Sequence, residues 1–157
     1  MADTDVLLSP DYDEGYEHLG MREERSLDDK GRVILPAGAW REVFAGDARL
    51  TPYRGCLALW TMRSYGKYVA RLDAAQRAQK VKAGTLDAFR AEARHVSLDA
   101  QGRLTLPPDL REHVGIGGHG STVVIEGQGD HLEFKPGGRA PRMTAVDLVA
   151  ELDHLDI

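Results

Sequence analysis

Two stretches of this chain carry the same order of apolar and polar positions at an offset of 71 residues. Residues 26–36 read SLDDKGRVILP and residues 97–107 read SLDAQGRLTLP, identical at seven of eleven positions. In each, a short alternating stretch leads into Asp-x-x-Gly-Arg, and a β-branched, leucine-rich run closes at Pro36 or Pro107. Asp and Gly at this spacing are turn chemistry: the carboxylate bonds backbone amides further along, and glycine takes the positive φ of a tight bend. Each copy therefore predicts strand, turn, strand. The prolines precede AGAWREVF and PDLREHVG, apolar at roughly helical spacing, and proline suits a helix's first position because its missing N–H costs nothing there. A hairpin follows each helix: residues 48–51 and 56–60 around Tyr53-Arg54-Gly55, and residues 121–126 and 131–134 around Gly127-Gln128-Gly129-Asp130.

An internal repeat sets the architecture before any other assignment. Each hairpin-helix-hairpin repeat, at about 45 residues, is too small to bury a core alone. Two copies are too few for a solenoid, so the halves are expected to interleave into one small barrel. The fold class is α+β, mainly β. Between the repeats, residues 62–92 are rich in Ala, Arg, Lys and Gln, which favour helix. Gly84 divides them into a long and a shorter helix. The organisation is then an acidic extension (1–20), a first repeat (21–61), a helical connector (62–92), a second repeat (93–135), and a linker with a short helix (136–157). In that last helix Thr144 is the expected cap, and Val149, Leu152 and Leu155 share one face.

A doubled Leu-Asp-x-x-Gly-Arg followed by a Leu-Pro step and a helix resembles the MraZ family of bacterial transcriptional regulators. The matching residues are Asp28, Gly31 and Arg32, and Asp99, Gly102 and Arg103. Leu35-Pro36, Arg41-Glu42, Gly55-Cys56-Leu57, Leu106-Pro107-Pro108, Leu110-Arg111-Glu112 and Gly129-Asp130-His131 add to the agreement, over roughly residues 19–135. The resemblance implies two tandem modules of the AbrB-like swapped-hairpin type in a ring-forming DNA-binding protein. It implies repression of the division and cell-wall gene cluster from short repeated boxes, with the Asp-x-x-x-Arg elements facing DNA. The long N-terminal extension, a connector shortened before Arg94 and the ending after Phe134 depart from the family pattern.

The residues themselves suggest the same chemistry. Arg32 and Arg103 each follow a Gly turn, and a narrow two-stranded ribbon fits the major groove, where a guanidinium bonds guanine O6 and N7 together. Lys30 suits phosphate, whereas the equivalent Gln101 suits phosphate or an adenine edge. Arg22 and Arg25 on the incoming strand are further phosphate candidates. Asp28, Gly31, Asp99 and Gly102 are read as turn-shaping, since a carboxylate repels phosphate. A second reading makes each Asp–Arg pair only a brace across its turn, worth ~0.2–1 kcal/mol if exposed.

Charge changes this picture once it is resolved along the chain. The net charge is −5, but residues 1–20 hold six acids and no Lys or Arg, so residues 21–157 carry +1. Residues 63–103 carry nine bases against four acids. One subunit thus offers a modest basic surface, and several copies on several boxes would gain by effective concentration. The expected partners are double-stranded DNA and further copies of the chain, with no membrane and no small-molecule substrate. The acidic extension reads as a solubilising tail or as a competitor for the arginines.

No run approaches 18 apolar residues, and the first twenty are too charged for a signal peptide. With Cys56 alone in an apolar pattern, a cytoplasmic, nucleoid-associated protein is expected. The six histidines lack metal-pair spacing, and no phosphate loop, dinucleotide fingerprint or nucleophile motif occurs. No enzyme activity, metal or cofactor is expected. The other functional class left open is an oligomeric scaffold that regulates a protein partner without binding DNA.

Overall fold

The structure is a computed structural model that describes residues 22–137 and 145–153. The acidic extension, Thr144 and Leu155 lie outside the described residues. The first repeat supplies β1 (Arg22–Ser26), β2 (Arg32–Ile34), α1 (Ala39–Val43), β3 (Ala48–Tyr53) and β4 (Cys56–Thr61). The connector is α2 (Met62–Arg77) and α3 (Thr85–Glu92). The second repeat supplies β5 (Arg94–Val96), β6 (Arg103–Thr105), α4 (Pro108–Val114), β7 (Thr122–Gly127) and β8 (His131–Pro136), and α5 (Ala145–Asp153) follows. The α+β, mainly β class is as the pattern predicts.

The two repeats interleave. Six antiparallel strands form one sheet in the order β1-β7-β8-β4-β3-β5, and β2 pairs with β6 in a separate ribbon. Exchanging each strand for its counterpart in the other repeat leaves this order unchanged, so a pseudo-two-fold relates the halves. Among the described residues the sheet does not close into a hydrogen-bonded barrel, and β1 and β5 are its edges.

The expected leading hairpins are corrected in one respect. The turns after β1 and β5 form, but β1 pairs with β7, β5 with β3, and β2 with β6. An isolated two-stranded hairpin is marginal in water. Sharing the strands between repeats instead places Val33, Leu35, Leu104 and Leu106 at 0% exposure in one core. Each such fully buried side chain contributes about 1.5–3 kcal/mol. The helix starts also differ between repeats. Pro108 takes the first position of α4 behind Pro107, whereas α1 is capped by Gly38 at φ 97° and Pro36 lies further upstream.

The sheet separates two layers. On one face the ribbon, Trp40 of α1 and Phe44 at its C-cap, and Leu110 and Val114 of α4 pack on Leu50, Leu57, Leu59, Ile125, Leu132 and Phe134. Strand alternation turns Cys56, Ala58 and Trp60 to the opposite face, which the connector covers. Thr61 caps α2 by accepting from the Ser64 N–H at 3.0 Å. Tyr68 of α2 stacks on Trp60 at 5.0 Å between centroids, and Phe89 of α3 lies 5.2 Å from Tyr68. Cys56 is buried, donates to the Tyr53 carbonyl, and has its thiol pushed up to about 12, first by burial and then by Glu133.

His131 sits in this back layer with its side chain 6% exposed. Its ring lies 4.5 Å from Trp60. Nδ1 is 2.6 Å from Asp130 Oδ1 and Nε2 2.9 Å from Glu133 Oε2. Arg71 of α2 approaches Asp130 at 3.8 Å, and Lys135 approaches Glu133 at 3.2 Å. Burial works against the imidazolium, but the two carboxylates outweigh it and raise the pKa above the usual 6.5. A folded-state pKa above the unfolded one gives stability that is fully present below 6.5 and lost as pH rises through the folded value. Thermal melts should therefore show a higher midpoint at about pH 6 than at about pH 8.5, with the difference reduced in His131→Gln. An undiminished difference in the variant would remove His131 as its source.

Candidate nucleic-acid interface

Each Asp-x-x-Gly-Arg turn is built by one carboxylate. Asp28 Oδ1 accepts from the backbone N–H of Lys30 at 2.9 Å and of Arg32 at 2.8 Å, and Oδ2 accepts from Arg32 Nε at 2.8 Å. The Asp28 N–H donates to the Arg32 carbonyl at 2.9 Å, with Gly31 at φ 75° between them. The second turn repeats this pattern. Asp99 Oδ1 accepts from Gln101 and Arg103, each at 2.9 Å, and Oδ2 from Arg103 Nε at 2.7 Å; Gly102 stands at φ 79°.

These bonds depress both acids. For Asp28, desolvation works upward, but the Arg32 N–H, the Arg32 guanidinium and the Lys30 N–H bring the pKa from 3.8 to about 2. For Asp99, the Arg103 N–H leads the causes that lower it. Both carboxylates are thus charged throughout the physiological range.

The ribbon sets the two arginines side by side. Arg32 faces Thr105 across the strands, Val33 faces Leu104, and Ile34 faces Arg103. Val33 and Leu104 point into the core at 0% exposure, so alternation turns Arg32, Ile34, Arg103 and Thr105 outward. Arg32 reaches across the ribbon to within 3.9 Å of Asp99. An Arg103 terminal nitrogen donates to Gln101 Oε1. Lys30 and Gln101 stand exposed on the adjoining turns.

Behind the turns lies a reciprocal clamp that the sequence reading missed. Arg41 of α1 donates from Nε to the Leu35 carbonyl at 2.9 Å and packs over Gly102 of the other repeat. An added Cβ there would lie 2.4 Å from Arg41 Nε. Arg111 of α4 donates to the Leu106 and Gly117 carbonyls and packs over Gly31, where a Cβ would lie 3.2 Å from its Nη2. The Leu35 N–H donates to the Gly102 carbonyl and the Leu106 N–H to the Gly31 carbonyl, each at 2.9 Å. The signal was present in the matched Arg41-Glu42 and Arg111-Glu112 pairs, but only the swapped topology shows which glycine each arginine covers.

Arg22 and Arg25 stand apart from this cluster. Arg22 lies six positions before Asp28, on the order of 20 Å along an extended strand, and approaches Glu24 and Glu126 at 3.5 Å. Arg25 points to the other face of β1 and pairs with Glu23 at 3.1 Å. Among the described residues no cluster of His, Cys, Asp and Glu has the form of a metal site, and no helix is long and apolar enough to cross a membrane.

The chain carrying this ribbon has relatives in sequence. The family model of the MraZ protein, described as antitoxin-like, matches residues 89–136, which contain the second turn and β6. A protein of Arthrobacter sp. (strain FB24) named transcriptional regulator MraZ is 32% identical over 108 residues, covering 69% of this chain and 74% of the relative. The chain belongs to the MraZ family. Another MraZ regulator, from Thermomicrobium roseum, is 38% identical over 98 residues, covering 58% of this chain and 64% of that one. One from Coxiella burnetii is 30% identical over 122 residues, with 69% and 73% covered. Within this MraZ chain the clamp makes a testable claim. Gly102→Ala forces an unfavourable φ and displaces Arg41, so it should destabilise by about 1–3 kcal/mol. Gly31→Ala, with the more distant neighbour, should cost less, as chemical denaturation will measure.

Proposed function

We propose that this member of the MraZ family is a sequence-specific, double-stranded DNA-binding transcriptional regulator, acting as a repressor of the division and cell-wall gene cluster. The observation that carries the reading is the pair of arginines on the outward face of a single ribbon, each bonded through Nε to its own aspartate. A guanidinium held at Nε turns its two terminal nitrogens outward as a fork, which for Arg103 is completed once Gln101 releases the nitrogen it accepts from. Such a fork matches guanine O6 and N7 in the major groove, and its fixed geometry lowers the ordering cost of binding. Arg32 and Arg103 are then the base readers, and Asp28 and Asp99 position them. Lys30 and Gln101 contact the flanking backbone or base edges, while Arg22 and Arg25 would give up their acidic partners to reach more distant phosphates.

The working units are the repeats at residues 21–61 and 93–135, joined by the connector at 62–92, with residues 1–20 and 136–157 as appendages. One ribbon neutralises few phosphates, so several subunits in a ring, set on repeated G-containing boxes, supply the missing affinity through effective concentration. Such a protein would act in the cytoplasm, on the nucleoid. A second reading, an oligomeric scaffold for a protein partner, is favoured by the exposed apolar face of α5, where Leu148, Val149 and Leu152 are 47%, 57% and 48% exposed. The two respond differently to salt, because phosphate binding weakens steeply as salt rises and apolar docking does not.

The test is binding to a duplex with repeated boxes from upstream of the protein's own gene, against shuffled duplex of the same composition. The wild type should prefer the boxes, and Arg32→Ala/Arg103→Ala should lose that preference with oligomeric size unchanged. Arg32→Ala alone should lose ~1–3 kcal/mol of discrimination at one base position, and Lys30→Ala should weaken all duplexes alike. Asp28→Asn should lose discrimination while keeping or raising shuffled-duplex affinity, because it frees the arginine and removes a negative charge. No preference in the wild type at low salt would leave the scaffold reading.

A further inference from the structure

The repeat contains an internal control. Among the eleven aligned positions of residues 26–36 and 97–107, four differ: Asp29/Ala100, Lys30/Gln101, Val33/Leu104 and Ile34/Thr105. Only Val33 and Leu104 are buried; the other three pairs are exposed on the turns and on the outward face of the ribbon. The identical positions include those that build the turn or fill the core beneath it: Asp28/Asp99, Gly31/Gly102 and Leu35/Leu106. The two copies therefore share their scaffold and differ in what they present.

Ile34 stands out among the presented residues. At 38% exposure it is the one exposed large hydrophobic residue on any described strand. The fold does not require it, because Thr105 occupies the equivalent strand position with the same outward exposure and the same β-branched compatibility with a strand. Its Cα partner across the ribbon is Arg103, and partners across an antiparallel pair lie about 4.5–5.5 Å apart. Successive bases on a strand rise about 3.4 Å. A side chain next to an arginine on guanine thus reaches the neighbouring base pair. The apolar group on a major-groove base edge is the thymine 5-methyl.

We propose that Ile34 reads the 5-methyl group of a thymine beside the guanine bonded by Arg103, whereas Thr105, with one γ-methyl beside a hydroxyl, offers a smaller and more polar contact beside Arg32. Each subunit then binds a non-palindromic box in one orientation. The inference rests on the base-reading role of the arginines. The turns reinforce the polarity, since Asp29 and Lys30 mark one end of the ribbon with charge and Ala100 and Gln101 leave the other neutral.

The experiment is selection of duplexes from a randomised library by the wild type, Ile34→Ser, Thr105→Ile and Arg32→Ala/Arg103→Ala. Deoxyuridine is then substituted for each thymine of the wild-type winner in turn. Removing the contacted methyl should weaken wild-type binding about fourfold at one thymine next to a guanine. The penalty should vanish in Ile34→Ser, and Thr105→Ile should select a more nearly palindromic box. Ile34→Thr, which copies a residue the fold already carries at the equivalent position and keeps one methyl, should show a penalty between those of the wild type and Ile34→Ser, and guards against a folding defect. A flat deoxyuridine scan, or a penalty unchanged in both Ile34 variants, overturns the thymine contact; a winner with identical halves overturns the orientation. If the arginine variants lose enrichment while the scan is flat, only this inference falls. If the wild type enriches nothing, the base-reading function falls with it.

Discussion

Everything on the presented face depends on β2 and β6 pairing with each other across the repeat boundary. Each strand is three residues long, and alone neither could hold an arginine in register. Val33 and Leu104 enter the same core from opposite repeats, and Leu35 and Leu106 close it beneath the turns. The backbone bonds from Leu35 to Gly102 and from Leu106 to Gly31 then tie each strand's end to the other repeat's turn. Arg41 and Arg111 cover those turns from behind. A repeat separated from its sister loses its ribbon partner, its turn brace and half of its core together, so the two halves form one cooperative unit.

The Asp–Arg bonds are better understood through this frame than as stabilising salt bridges. Their side chains are between a fifth and about a third exposed, and such pairs add little net stability because solvent screens them and their ordering costs entropy. The bond directed at Nε constrains the flexible arginine without occupying both terminal nitrogens. The carboxylates stay ionised far below neutral pH, so the positioning does not titrate where a bacterial regulator would act. The back layer contrasts with this. There His131 is enclosed by two carboxylates and an aromatic stack, and its neighbours Asp130 and Trp60 meet the connector at Arg71 and Tyr68.

The sequence was most legible where local chemistry and repetition coincide. The Asp–Gly turns, the bends at Gly55 and Gly129, the break at Gly84 and the two connector helices all come from residue types whose preferences act within a few positions. Strand partners were not legible. A strand-turn-strand pattern reads the same whether its strands pair with each other or with a second copy, because alternation fixes which face is buried and not which neighbour supplies the burial. The role of Arg41 and Arg111 was hidden for the same reason. Their partners lie in the other repeat, at a separation that no local spacing rule reaches. The cross-strand acidic partner of Arg22 was likewise not legible, since Glu126 reaches Arg22 only through the pairing of β1 with β7.

A pseudo-two-fold built from unequal copies also bears on how such a protein would engage DNA. A perfectly symmetric ribbon binds equally well in either orientation on the groove, so successive subunits in a ring would have no preferred polarity along the duplex. Fixing polarity needs differences confined to the outward face, because changes beneath it would disturb the shared core. The chain has that distribution: the core difference, Val33 against Leu104, exchanges two fully buried aliphatic residues, while charge, hydrogen-bonding capacity and apolar surface all change on the outside. A duplicated scaffold can diversify in this way without losing its fold, since the interactions that hold the ribbon together face inward and those that distinguish its two ends face out.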